Sequence, residues 1–569
     1  MKEALSIETE RMDDIPLLLT HMQRMKVAEL LDKHIPAHGQ RKGLSVGELS
    51  VVWLAHILSQ ADHRMNRVQE WASRRMETLR GCGMTTVCGQ DLTDDRLADI
   101  LRLLSADVPW HAFEQELMGQ LLRVYDLQAI CVRIDTTTAS SYADVDEQGL
   151  LQLGHSKDHR PDLPQLKLVL ASLDPLGMPL ATEVLSGEHA DDPLYLPIIA
   201  RVRDGLQQKG LLYVGDCKMA ALQTRASIAA QGDFYLCPLS ALQAPTEQVG
   251  QEVETQRTQG ARLLSVCRVD EQGTSTCIAQ GYETIHPVTA QVDGEAHTWQ
   301  ERRLLIQSMA ATRAAQASLQ ERLQKAQQAL AELTVRRQGK ARLRERAEVE
   351  EATKAVLKQF RVENLLQVQI QEHAHERPVR AYRGRLSGVR RDLTFTLTSL
   401  REEAAIAKAI SELGWRVYAT NHLSEQLTLQ QAVEAYRDEY LVERNFARLK
   451  GRPLSLAPLY VQRDDHRIGL VRWLTLALRV LTLLEGVIRQ RLDEQKEELA
   501  GLFAGNPKRR TAQPTAERLL EAFSEVTLTV LCASGFTQRH VTPLSPLQQQ
   551  ILALFGFSPA VYLRLADDS

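Results

Sequence analysis

The run AICVRID, residues 129–135, decides how the middle of this 569-residue chain folds. This short apolar run ends in an aspartate and is followed by three threonines, which is typical of a buried strand that leads into a polar turn. A second run of this kind, GLLYVGD (210–216), also ends in an aspartate. We therefore expect Asp135 and Asp216 at the ends of two buried strands.

Other apolar runs extend these two strands into a predicted sheet. They are LKLVLASLD (166–174), LATEVLS (180–186) and FYLCPL (234–239). The turn DPLGM between the first two has the proline and glycine of a tight hairpin, which predicts antiparallel pairing. LPIIARVRDGLQQKG (196–210) has the pattern of a helix that ends at glycine. Strands on both sides of such a crossover predict a mixed sheet covered by helices.

Composition narrows the protein class. Charged residues are 25% of the chain and the formal net charge is −4, so no global nucleic-acid signature is present and any DNA contact must be local. The eight cysteines form no CxxC pair, which favours a reduced, cytoplasmic protein. Acids near the start argue against a secretory signal. Arg472, Arg479 and Glu485 interrupt the longest apolar run (468–488), which argues against a membrane span.

Changes in pattern divide the chain into five predicted regions. Their bounds are 1–115 (helical), 125–240 (strands), 241–400 (an insertion with β segments and a long basic helix at about 309–360), 401–490 (strand and helix) and 491–569 (helical). The basic residues of the first region are His38, Arg41, Lys42, Arg64, Arg67, Arg74 and Arg75. Contact with DNA phosphates and a solvated basic face explain them equally well. The same alternatives apply to the insertion's basic segments RRQGKARLRER (336–346) and RPVRAYRGRLSGVRR (377–391).

The stretch YRDEYLVERNFARLK (436–450) predicts one helix with three distinct faces. An apolar stripe suited to a core is formed by Val442, Phe446 and Leu449. A basic edge is formed by Arg437, Arg444 and Arg448, and a separate stripe by Tyr436, Glu439, Glu443 and Lys450. We therefore expect the Glu443 carboxylate to point away from the core, beside a tyrosine and a lysine.

Asp135, Asp216 and Glu443 together suit a magnesium site for phosphodiester chemistry. Hard divalent cations prefer oxygen ligands, and two such ions stabilise both the attacking and the leaving oxygen. Taken singly, each acid has a simpler reading, since strand-end aspartates cap turns and helix glutamates pair with arginines.

The order Asp, Asp, Glu on strand, strand and helix resembles the DDE transposases of bacterial insertion sequences. One subgroup carries a Tyr-Arg-Glu-Lys helix signature, matched here by Tyr436, Glu443 and Lys450, whereas Glu439 stands at the arginine position. Residues 154–192, the Thr420–Asn421 dipeptide and the insertion before the glutamate are similar too. The resemblance covers roughly residues 90–490.

The resemblance implies an α/β, RNase H-like catalytic domain in two parts, 125–240 and 401–490, whose mixed sheet is flanked by helices. It implies that Asp135, Asp216 and Glu443 hold two Mg²⁺ ions, with Mn²⁺ as a substitute. The implied reaction is cut-and-paste transposition: water cleaves DNA at terminal inverted repeats, and the freed 3′-hydroxyl attacks target DNA. Residues 1–115 would bind the DNA ends, and 491–569 would support a homodimer in a paired-end complex at the nucleoid.

By position in the signature, Tyr436 and Lys450 would contact DNA near the cleaved end. Arg437 or Arg444 would replace the arginine that Glu439 displaces. His155 and Lys157 lie in a basic loop that suits phosphate contact, although loops are commonly polar without function. Nearby acids are read as turn residues: Asp158, Asp162, Asp191 and Asp192.

Two other functions fit the same residues. A standalone magnesium nuclease of this fold would cut DNA without rejoining it. A catalytically inactive or domesticated DNA-binding protein would do neither, which the intact acids argue against.

Overall fold

The computed structural model describes residues 6–35, 43–145, 148–269, 273–335, 342–379, 388–533 and 536–566. The chain forms two compact units of mixed α/β structure. The first comprises Met1–Cys237, Val288–Trp299 and Glu434–Ser569, and the second comprises Pro238–Pro287 and Gln300–Val433.

The N-terminal part of the first unit is mainly helical, as predicted. Its elements are β1 (Ser6–Arg11), α1 (Ile15–Arg24), α2 (Val27–His34), α3 (Val46–Gln60), α4 (Met65–Ser73), α5 (Met76–Gly81), a 3₁₀ turn (Gly89–Leu92), α6 (Asp94–Leu104) and α7 (Asp107–Val124). A capping box between Ser45 and Glu48 begins α3, most of whose residues are buried. Of the basic residues expected here, His38, Arg41 and Lys42 lie outside the described residues.

The sheet of the first unit is built around a central strand. Its elements are β2 (Cys131–Ser140), β3 (Gln165–Leu173), β4 (Met178–Ser186), a 3₁₀ turn (Asp192–Leu194), α8 (Tyr195–Leu206), β5 (Leu212–Val214), α9 (Leu222–Ala230) and β6 (Phe234–Pro238). The strand order is β4-β3-β2-β5-β6. The pairs β2–β3 and β3–β4 are antiparallel, whereas β2–β5 and β5–β6 are parallel. The predicted hairpin and mixed sheet are therefore confirmed.

The second unit contains most of the predicted insertion. Its elements are α10 (Thr246–Thr258), β7 (Leu264–Val269), β8 (Ser275–Val292), β9 (Glu295–Ser308), α11 (Met309–Leu333), α12 (Arg346–Phe360), β10 (Leu366–Val379), β11 (Gly388–Arg401), α13 (Glu403–Ser411) and β12 (Trp415–Thr420). Residues Val288–Trp299, which comprise the end of β8 and the start of β9, belong to the first unit. β12, β9, β8 and β7 are neighbours in that order, and β10 and β11 form a separate two-stranded ribbon.

The prediction of a single long helix at about 309–360 is wrong. It is two helices, α11 and α12, which pack on each other. Leu319, Leu323, Ala326 and Leu330 of α11 form a buried apolar row that needs such a partner. Much of both predicted basic segments lies outside the described residues, namely 336–341 and 380–387.

The prediction that residues 491–569 are helical is only partly correct, because the described part of this region also contains four strands. The elements that follow the second unit's last strand complete the chain. They are α14 (Leu429–Arg437), α15 (Tyr440–Lys450), α16 (Asp464–Gln495), β13 (Leu499–Ala500), β14 (Arg510–Thr511), α17 (Ala516–Glu521), β15 (Thr527–Ala533), β16 (Phe536–Val541), α18 (Pro546–Phe555) and α19 (Ala560–Leu563). β15 pairs with both β1 and β16, because its threonine- and valine-rich sequence alternates like a strand. Among the described helices, none has the length and apolarity needed to cross a bilayer.

Candidate active site

The sheet brings the two predicted aspartates to neighbouring strands. In the parallel ladder of β2 and β5, Arg133 pairs with Val214. Asp135 lies two residues after Arg133 in β2, Asp216 lies two residues after Val214, and the charge of Asp216 acts on Asp135. The expected strand end is wrong for Asp135, because β2 continues to Ser140 along β3. The ladder with β5, however, ends at Arg133 and Val214, before Asp135.

Asp135 is largely buried and lies next to one lysine. Its Oδ1 is 2.7 Å from the backbone nitrogen of Thr136 and 3.5 Å from Nζ of Lys157. Burial raises the pKa of Asp135; the Lys157 charge lowers it and the Asp216 charge raises it. The two aspartates therefore interact electrostatically.

Asp216 is held by a tyrosine that the sequence analysis missed. The hydroxyl of Tyr195 donates to Oδ1 of Asp216 at 2.6 Å, and the Lys218 backbone nitrogen donates to the same oxygen at 2.8 Å. Tyr195 begins α8 and is fully buried, and its burial together with the Asp216 charge raises its pKa well above the usual value. The sequence shows only a tyrosine next to the predicted crossover helix, which does not identify Asp216 as its partner.

The expected single helix over 436–450 is wrong, since α14 ends at Arg437 and α15 begins at Tyr440. In a continuous helix the Glu439 amide would donate to the Ala435 carbonyl. Instead it donates to the Tyr436 carbonyl at 3.2 Å, and the Ala435 carbonyl accepts from the Arg133 side chain at 2.6 Å. Tyr436 therefore lies on a different helix from Glu443 and Lys450.

α15 packs on β2 through the predicted apolar stripe. Val442, Phe446 and Leu449 are all buried, as expected, and Glu443 is exposed on another face. Burial raises the pKa of the half-buried Glu439, and the charges of Asp135, Glu443 and Asp216 raise it further, whereas the charge of Arg133 lowers it. Glu439 thus lies within the electrostatic field of all three predicted ligands. The sequence analysis had treated it only as a missing arginine.

The predicted DNA-contacting residues have different surroundings. Lys450 forms an ion pair with Asp158 at 2.5 Å, and Arg444 forms one with the buried Glu485 at 2.9 Å. Lys157 donates to both the carbonyl and the hydroxyl of Thr136 at 2.6 Å. Exposed side chains are those of His155 and Arg437, and Tyr436 is half-buried.

Two acids interpreted as turn residues also pair with lysines. Asp191 is 2.5 Å from Nζ of Lys167 and 3.9 Å from Nζ of Lys157. Its burial raises its pKa, but these lysines lower it more, so the net shift is downward. Asp158 accepts from Lys450, as described above. Asp191 therefore shares Lys157 with Asp135, whereas Asp158 neutralises Lys450.

The basic residues of the N-terminal helices pair with nearby acids. Arg64 pairs with Asp62 at 2.6 Å, and Arg74 pairs with Glu70 at 2.5 Å. The buried Arg75 lies 3.8 Å from Asp13. Arg64 and Arg74 are therefore exposed and paired, whereas Arg75 is buried and is not part of a solvated face.

The carboxylate oxygens of Asp135, Asp216 and Glu443 are ligands that a hard cation prefers, but these side chains are too far apart to hold one ion together. Within the described parts of the chain, no three Asp, Glu, His or Cys side chains are arranged closely enough to hold a metal ion. Oδ1 of Asp135 lies within reach of Lys157, and Oδ1 of Asp216 accepts from Tyr195.

No family model matches the chain, and no curated protein matches it in sequence. Among solved structures, the chain is similar to one from a piggyBac transposase synaptic complex with hairpin DNA. The sequence identity is 8% and the TM-score is 0.31, with 96% of this chain and 81% of that chain covered.

Proposed function

We propose that this chain is a DDE-type transposase, a Mg²⁺-dependent DNA endonuclease and strand transferase. One observation carries the proposal. Asp135 lies in β2, Asp216 follows its parallel neighbour β5 by two residues, and both charges act on Glu439, one turn from Glu443. The charges of Asp135, Asp216 and Glu443 all disfavour the ionised form of Glu439, and a bound cation would offset such repulsion.

The strand arrangement supports an RNase H-like catalytic core. An antiparallel meander, β2 to β4, is followed by two strands parallel to β2, with α8 as the crossover between β4 and β5. The three proposed ligands would come from the central strand, its parallel neighbour and a helix packed on that strand. This is the order on which the resemblance to DDE transposases rests.

Asp135, Asp216 and Glu443 would hold Mg²⁺, or Mn²⁺ in its place. When bound, these ions supply positive charge to the attacking and leaving oxygens of a phosphodiester. Tyr195 would orient Asp216 through its 2.6 Å hydrogen bond, so that the other carboxylate oxygen is available. Lys157 would keep Asp135 partly neutralised before the ion binds.

DNA would be bound as a duplex, at terminal inverted repeats and then at the target. The candidates for end contact are His155, Lys157, Tyr436, Arg437 and Lys450, which belong to the loop after β2 and to α14 and α15. Arg444 is a weaker candidate, because Glu485 already neutralises it. Pairing two ends would require a homodimer.

The reaction products test this proposal. Purified full chain is incubated with duplexes that carry the DNA flanking its coding region, in Mg²⁺ or in EDTA. A transposase gives Mg²⁺-dependent cuts and products joined to target DNA. Cuts without joining would identify a standalone nuclease, and binding without cuts would identify an inactive DNA-binding protein; either result would contradict the proposal.

A further inference from the structure

Arg133 lies in the same strand as Asp135, two residues earlier, and therefore on the same face of β2. Its side chain is 3% exposed. One terminal nitrogen, Nη2, donates to Oδ2 of Asp174 and to the carbonyl oxygen of Ala435, both at 2.6 Å. A single guanidinium thus joins β2, the β3–β4 turn and the end of α14.

The bond to Ala435 lies where the backbone leaves regular helical hydrogen bonding on its way to Glu443. Two of the following amides donate to the carbonyl three residues earlier instead of four: Glu439 donates to Tyr436 at 3.2 Å, and Leu441 donates to Asp438 at 2.9 Å. Carbonyls at a helix end need partners other than the helix itself, and Arg133 supplies one. The α14–α15 break is therefore tied to the strand that carries Asp135.

We propose that Arg133 is a positioning residue that sets where Glu443 stands relative to Asp135. The inference rests on the proposed function and deepens it. Arg133 is too buried to contact DNA, and its hydrogen bonds hold the Asp174 carboxylate and the Ala435 carbonyl, so it positions these elements. Active-site groups must be held within roughly 0.5 Å of their working positions, which a rigid planar group bonded to two elements favours.

A cavity beside Arg133 makes this proposal testable by chemical rescue. Its lining includes Cys131, Asp174 and Ala435, and its volume is about 870 Å³. Both groups that accept from Arg133 thus lie at the cavity wall. Arg133 is not itself among the lining residues, so its removal must open the cavity wall; we then expect free guanidinium to bind the same two acceptors from the cavity.

Arg472 provides a matched control. It is 1% exposed, pairs with Asp107 and donates to the carbonyls of Leu104 and Ser105 at 2.9 Å. Its bonds resemble those of Arg133, but they hold α6 and α7 rather than the α14–α15 break. Arg472→Ala is expected to lower the unfolding temperature, while cleavage per folded molecule stays unchanged and does not respond to guanidinium.

The experiment measures DNA cleavage and amide hydrogen exchange in parallel. For Arg133→Ala we expect about a 100-fold loss of cleavage rate. Millimolar guanidinium should restore much of it in a saturable manner, whereas equal NaCl should not. In Arg133→Lys, which keeps a charge for Asp174, amides 439–442 should exchange faster than in the wild type.

Two results would overturn the inference. One is a folded Arg133→Ala protein that cleaves at the wild-type rate, or whose loss guanidinium does not reverse. The other is unchanged exchange at 439–442 in Arg133→Lys, a readout that holds even if the alanine variant does not fold. A wild-type chain that fails to cleave DNA would instead contradict the proposed function, and the exchange comparison would still decide the role of Arg133.

Discussion

The ammonium nitrogen of Lys157 lies 3.5 Å from Oδ1 of Asp135. The same nitrogen is anchored by two 2.6 Å hydrogen bonds to Thr136, the residue next to Asp135. A cation from the loop after β2 therefore stands at the carboxylate that we propose as a metal ligand.

Replacing Lys157 separates its two proposed roles. Lys157→Met removes a positive charge that competes with a divalent ion, so Mn²⁺ should bind about threefold to tenfold more tightly without DNA. Cleavage should nevertheless fall, because a phosphate contact is lost. Electron paramagnetic resonance titration with Mn²⁺ measures the affinity, and Lys209→Met on the exposed surface serves as the control. Weaker Mn²⁺ binding by the Lys157 variant would contradict this account.

Glu439→Gln tests the repulsion within the carboxylate group. Because Asp135, Glu443 and Asp216 all raise the pKa of Glu439, its charge disfavours the metal-free fold. The variant in EDTA at pH 8 should have a higher unfolding temperature than the wild type. Glu439 is half-exposed and salt screens its charge, so the gain should shrink at high ionic strength. Glu521→Gln, on exposed α17 surface, should show no gain; a decrease for Glu439→Gln would refute the repulsion.

Arg437 and Arg444 should differ in what they contribute. Arg444 pairs with Glu485, which also pairs with Arg448 and Arg489. Arg444→Ala should therefore lower stability with little change in DNA binding. Arg437→Ala on the exposed face of α14 should weaken DNA binding and reduce the salt slope by about one. Affinity measured over a series of salt concentrations checks both, and a reversed pattern would reject the assignment.

Asp158→Asn should tighten DNA binding. Asp158 lies 2.5 Å from Nζ of Lys450, so removing its charge leaves the lysine free to attract phosphate. Lys450→Met should have the opposite effect. Fluorescence anisotropy with a duplex of candidate end sequence measures both. Equal affinities for the wild type and the two variants would exclude Lys450 from the interface.

His21 should make the fold sensitive to acid. Nε2 lies 3.1 Å from the Val480 carbonyl and Nδ1 lies 2.9 Å from the Tyr125 hydroxyl, so the neutral ring donates to the first and accepts from the second. Burial lowers the pKa of His21 from 6.5 to about 3. Between these values the unfolded chain binds a proton that the folded chain does not, so stability falls as pH falls below 6.5.

The expected contribution approaches about 1.4 kcal/mol per pH unit between pH 6 and pH 4. Denaturant unfolding at several pH values should give a flatter pH dependence for His21→Gln than for the wild type. His540→Gln, at an exposed position on β16, should keep the wild-type slope. An unchanged slope in the His21 variant would contradict the buried neutral ring.

Local patterns predicted much of this site, and distant contacts account for what they missed. The burial of Val442, Phe446 and Leu449 follows from helical spacing alone. The hydrogen bond that Arg133 makes to Ala435 near the break before Tyr440 does not, because the two residues are 302 positions apart. Arg448 looked like part of a basic edge but pairs with Glu485, 37 residues later in α16. Similarly, nothing near Tyr195 in the sequence indicates that it donates to Asp216.

The cleavage rate of carboxylate variants tests the central claim most directly. Asp135→Asn, Asp216→Asn and Glu443→Gln are compared with Glu521→Gln on duplexes carrying candidate ends, in Mg²⁺. If the three acids form one metal-dependent site, each of the first three variants loses about 100-fold or more while the control keeps the wild-type rate. Cleavage at the wild-type rate by a folded Asp135→Asn protein would contradict the claim.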